Sequence, residues 1–92
     1  MDMVIGDENY RFFFAFIFKE YDWEKRNKIV TNHDGFDPVI GHRNLHDITM
    51  GIFELIKMGV KLDRISKEDC GKKVVVEMHY NKSEKIVLTI EL

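Results

Sequence analysis

The stretch from Tyr10 to Phe18, YRFFFAFIF, constrains this chain more than any other. Its length and aromatic content suit a β-strand, and side chains alternate along a strand, so Phe12, Phe14, Phe16 and Phe18 would share one face while Phe13, Ala15 and Ile17 take the other. A strand that is apolar on both sides has to be covered on both sides. With 92 residues there is little material for two cores. Something else is therefore expected to cover the second face: the helix found further along the chain, a second copy of the chain, or a partner or ligand. Sheet-to-sheet pairing of two copies is the preferred reading, with residues 60–71 or the N-terminal residues folding over part of the face as the alternative.

The rest of the chain reads as one small domain, residues 1–92. A hydrophobic share of 45% against 33% charged residues is that of a folding globular protein rather than a disordered one. After the first strand, residues 9–20, a polar turn leads into a second short strand at residues 28–32, and together they make a plausible hairpin. Residues 33–41 contain the only proline, Pro38, together with Gly35 and Gly41, and read as a connection.

Asn44 then has the position of a helix N-cap, able to accept from the amide of Asp47, and Asp47 lies where the helix dipole favours a carboxylate. Leu45, Ile48, Ile52, Leu55 and Ile56 follow at helical spacing, and Gly59 suits the residue after the helix. The spacing predicts a helix over residues 44–58. Residues 60–71 read as a connection, with Leu62 and Ile65 as anchors and one possible helical turn near Ser66.

The C-terminal part specifies its own register. Val74, Val76 and Met78 can share a face with Ile86, Leu88 and Ile90 only if Met78 lies opposite Ile86, Val76 opposite Leu88 and Val74 opposite Ile90. That arrangement also sets Lys73 opposite Glu91. The fold class that results is α+β: a ββ-α-ββ order, with a four-stranded antiparallel sheet and one helix packed on one face. Its other face stays open.

Charge and motifs exclude more than they identify. Fourteen Lys and Arg against sixteen Asp and Glu leave a formal net charge of −2, which advertises neither a nucleic-acid surface nor an acidic mimic of one. Cys70 is the only cysteine, so no intrachain disulfide forms, and its neighbours Glu68 and Asp69 oppose a thiolate nucleophile. His33, His42 and His46 lack the spacing and companions of a metal site, and no metal or other cofactor is expected. Asp34, Asp37 and Asp47 could act as acid and base only if the fold gathered them, and no glycine motif cradles a phosphate, so the chain is not read as an enzyme. The N-terminus lacks the basic flank and apolar run of a signal peptide, and the Phe12 to Phe18 run is too short to span a membrane, which makes the cytoplasm the default location.

What remains is a non-catalytic interaction or regulatory module, such as an inhibitor, adaptor or subunit, with self-association through an apolar sheet face or binding to another protein. Phe13, Ile17, Trp23, Val75 and Val87 are the candidate interface residues, Trp23 because an aromatic in a polar turn is a typical anchor. The alternative is a ligand-binding or single-strand nucleic-acid module. There Tyr21 and Trp23 would stack beside Lys25, Arg26 and Lys28, although Asp22 and Glu24 cancel much of that charge.

Overall fold

The computed structural model describes residues 2–3 and 10–92, with side chains from Phe14 onward. In chain order the elements are β1 (Asp2–Met3), α1 (Tyr10–Ile17), β2 (Asn27–His33), β3 (Val39–Arg43), α2 (Leu45–Lys57), β4 (Lys61–Glu68), a 3-10 turn at Asp69–Gly71, β5 (Lys73–Tyr80) and β6 (Glu84–Glu91). The strands form one antiparallel sheet in the order β1-β4-β5-β6-β2-β3. The α+β class is as expected. Four strands become five of five to eight residues, plus the two-residue β1 at one edge.

The C-terminal hairpin adopts the register that its own pattern demands. Met78 faces Ile86, Val76 faces Leu88, Val74 faces Ile90, and Lys73 faces Glu91. All six apolar residues are buried, together with Leu62 and Ile65 of β4, and they form one cluster with Leu45, Ile48 and Ile52 of α2 and with Phe14, Ile17 and Phe18. Both helices therefore cover the same face of the sheet. The α2 boundaries follow from its caps. Asn44 Oδ1 accepts from the Asp47 amide at 2.8 Å, and Gly59, with φ +102°, takes the left-handed conformation just past the last turn. A cap of this kind contributes about 1 kcal/mol.

Three expectations are overturned. Residues 10–17 are helical, not part of a strand, and the expected first hairpin does not form; β2 pairs with β6 and β3 instead. The physical reason lies in the run itself. With apolar residues at almost every position, a 3.6-residue stripe is as available as a two-residue one, and the stripe Phe14, Ile17, Phe18, Tyr21 is what faces the core. Ala15 and Phe16 are exposed in consequence.

The second correction concerns residues 33–41, read as a connection closed by Pro38. Strand β3 starts at the residue after that proline and pairs along its whole length with β2, from Asn27 opposite Arg43 to Thr31 opposite Val39. Pro38 stands just outside the strand, where its missing N–H removes nothing from the ladder.

The third concerns residues 60–71, most of which form β4. A bulge between Leu62 and Arg64 adds one residue to this strand. It lets Leu62 and Ile65, three apart, both point into the core, a spacing that conceals the strand from a period-two reading. Cys70 lies in the turn that follows, exposed, with Asp69, Cys70 and Gly71 all at positive φ.

Among the described residues no helix is long and apolar enough to cross a membrane.

Candidate functional site

Two surfaces carry exposed polar and apolar groups without an evident packing role: the sheet face opposite the helices and the sheet edge formed by β3. The open face is crossed by rows of residues set by the register. One row runs His42, Lys28, Glu91, Lys73, Glu68, and another runs Asn32, Val87, Glu77, Arg64. Ion pairs run within these rows, Lys28 to Glu91 at 3.7 Å in the first and Arg64 to Glu77 at 3.6 Å in the second, and Lys85 reaches Glu77 from the adjacent row at 2.9 Å. The Glu77 carboxylate, by accepting a hydrogen bond and by its charge, holds Lys85 above the ordinary lysine pKa. At the end of the face His79 Nδ1 lies 2.7 Å from Asp63.

Between these charged rows runs one apolar and hydroxyl row, Ile40, Val30, Thr89, Val75, Ser66. Val75 and Val87 thus sit on the open face, half-buried among their neighbours. Ile17 does not join them, since it is 1% exposed and packed in the core on the helix side. The side chain of Phe13 lies outside the described residues. The broad apolar face expected from a two-faced first strand is reduced to a strip.

The aromatic turn is bound to the body of the protein. Trp23 Nε1 donates to the Phe18 carbonyl at 2.9 Å, and its ring meets that of Phe18 edge-on and lies 5.0 Å from the His46 ring. Tyr21 Oη donates to the Gly71 carbonyl at 2.7 Å, and Lys67 Nζ lies over the Tyr21 ring. Arg26 Nη2 donates to the His42 carbonyl, Lys25 is exposed, and Lys28 points to the open face beside Glu91. The five residues read as a possible nucleic-acid contact are thus divided. Tyr21 and Trp23 are on the helix side of the sheet, whereas Lys28 is on the other.

Trp23 also lines a hollow between α1 and α2, about 350 Å³ in volume, with Phe14, Thr49, Met50, Phe53, Glu54 and Lys57 around it. Glu54 and Lys57 pair with each other at 3.3 Å. A second hollow of about 230 Å³ lies between α2 and β2, lined in part by Ile29, Arg43, Ile48 and Leu55. Among the described residues no group of three His, Cys, Asp or Glu side chains is placed to hold a metal ion.

The two long edges of the sheet differ sharply in chemistry. Along β4, five of eight residues are charged (Lys61, Asp63, Arg64, Lys67 and Glu68), a bulge interrupts it, and β1 pairs with Ile65 and Ser66. Those are devices that prevent another strand from adding to an edge. On β3 the guards sit at the two ends, Pro38 just ahead of the strand and the Arg26 and Arg43 guanidinium groups on the His42 carbonyl, while the stretch Val39, Ile40, Gly41 between them carries no charge or bulge. Val39 is 66% exposed, Ile40 62% and Phe36, just before the strand, 70%.

This edge was not legible as a site in the sequence, where Gly35, Pro38 and Gly41 read as loop punctuation. The available signal was the β-branched pair Val39-Ile40 placed directly after a proline, a residue tolerated at the first position or the edge of a strand. Searches of protein-family models, of curated proteins and of solved structures find no match to this chain, so its functional reading rests on its own residues.

Proposed function

We propose that this protein is a small, non-catalytic interaction module that binds a partner by strand addition at the β3 edge. The observation that carries this reading is the asymmetry of the two edges: β4 is charged, bulged and partly paired, while β3 exposes Val39 and Ile40 on a regular strand with no second neighbour among the described residues. Strand addition takes affinity from main-chain hydrogen bonds and specificity from alternate side chains. In β3 those side chains fall on two chemically distinct sides, Ile40 with the apolar row of the open face and Val39 with the helix side.

The test is photo-crosslinking in extract of cells that make the protein. A photoreactive residue at position 40 is expected to give discrete covalent adducts, and the same residue at position 87, in the middle of the open face, is expected to give none. Adducts from position 87 alone would return the interface to the sheet face, and none from either position would remove the reading.

A second reading rests on the hollow beside Trp23. Its volume, about 350 Å³, falls in the range of about 300–1,000 Å³ typical of small-molecule sites, and its lining combines aromatic rings with one carboxylate and one ammonium group. Because Trp23 is the only tryptophan, a ligand there would shift its emission. A fluorescence screen of small aromatic and aliphatic compounds that produces no saturable change would discard this alternative.

A further inference from the structure

We infer that the occupant of the β3 edge is a second copy of this chain, paired antiparallel about a two-fold axis at Ile40, so that the two six-stranded sheets join into one. This rests on the reading of β3 as an interaction edge and specifies its partner. An isologous pair must be self-complementary, and only registers in which a residue faces its own counterpart satisfy the symmetry.

Centred on Ile40, the register joins the two apolar rows end to end. The row Ser66, Val75, Thr89, Val30, Ile40 continues into Ile40 and Val30 of the second copy without a charge between them. On the helix side Val39 of one copy falls opposite Gly41 of the other. The next pair sets Pro38 opposite His42, and the one after it sets Arg43, whose Nη1 donates to the His42 carbonyl of its own chain at 2.7 Å, opposite Asp37 of the second copy; the two-fold axis makes this charge pair twice. Asp37 precedes Pro38, which biases it to the extended conformation the pairing needs. No like charges meet anywhere along the register.

The neighbouring registers lose these features. Centred on Val39, Ile40 falls opposite Pro38. Centred on Gly41, Arg43 falls opposite Val39, Asp37 loses its partner, and glycine faces glycine. Centred on His42, two imidazoles meet.

Gly41 supplies an independent observation. Its φ is not in the left-handed region, and a Cβ built on it would meet Ile29 Cγ1 at 3.7 Å, an ordinary contact. Neither the backbone nor the packing of a single copy requires glycine there, and glycine in a strand weakens it. In the paired register the missing side chain leaves room for Val39 of the second copy to reach across to Ile29, at the rim of the hollow between α2 and β2.

The interface is small, a five-residue strand with two apolar side chains per copy, and belongs with transient associations that bury under about 1,200 Å². Sedimentation velocity of the full chain from micromolar to millimolar concentration is therefore expected to show the mass rising from 10.9 kDa toward twice that value. Ile40→Lys, at an exposed position that leaves the monomer folded by circular dichroism, is expected to hold the mass at that of the monomer throughout.

The register is tested by charge reversal. Asp37→Arg and Arg43→Asp are each expected to weaken association about tenfold, since two cross-strand pairs become repulsive, and the double reversal is expected to restore it. Failure of the double reversal to restore association overturns this register, as does an Ile40→Lys variant that dimerises like the parent. A parent chain that stays monomeric at millimolar concentration overturns the second copy as occupant. If position 40 still crosslinks to a different protein, strand addition stands without self-pairing; if it crosslinks to nothing, both fail.

Discussion

Phe18→Ala is expected to lower the unfolding free energy by about 3–5 kcal/mol, the range for removing a large aromatic from a core. Phe18 is fully buried just past the end of α1, and three rings lean on it. Phe14 stacks on it at 6.1 Å between centroids, and Tyr21 and Trp23 both meet it edge-on at 6.1 Å. Its carbonyl also accepts from Trp23 Nε1 and from the Tyr21 amide. The truncation therefore leaves a cavity at the point where the helix, the turn and the sheet meet. A domain of this size has about 5–15 kcal/mol to lose. Urea unfolding should show the midpoint falling by more than about 1 M. A midpoint that hardly moves would mean that the ring is not part of the core.

Ala15→Pro is expected to cost about 3 kcal/mol or more, while Ala15→Lys at the same position stays within about 0.5 kcal/mol of the parent. The pair of substitutions separates helix from strand in residues 10–17. Proline inside α1 removes a hydrogen bond and clashes with the carbonyl four residues earlier, whereas a lysine on the exposed side of the helix meets only solvent. In a strand buried on both faces, lysine would be strongly destabilising as well. Thermal unfolding of the two variants side by side is the check, and equal large losses from both would contradict the helix.

Much of the candidate site became visible only once the strands were paired. Val39 and Ile40 carry strand propensity, yet nothing local says that β2 will take β3 as its neighbour on one side and β6 on the other, or that no further strand lies beyond β3 among the described residues. The contrast between a β4 edge guarded along its length and a β3 edge that leaves Val39 and Ile40 exposed between its ends is a property of the sheet order. Asp37 and Arg43, six residues apart on opposite sides of Pro38, would likewise acquire a relation only through the proposed two-fold register.

By itself the sequence determined the elements whose information is local. Asn44, Asp47 and Gly59 delimit α2 because they satisfy backbone groups within one turn of themselves, and the β5-β6 hairpin follows from two alternating apolar sets joined by three residues. Tertiary structure decided the rest. The run from Tyr10 to Phe18 is apolar enough to present a buried stripe as a helix or as a strand, so its state was chosen by what it packs against. Leu62 and Ile65 reach one core across a bulge that only pairing with β5 creates. Where hydrophobic positions are redundant or out of period, local sequence leaves several conformations close in energy, and the burial each achieves against distant residues selects among them.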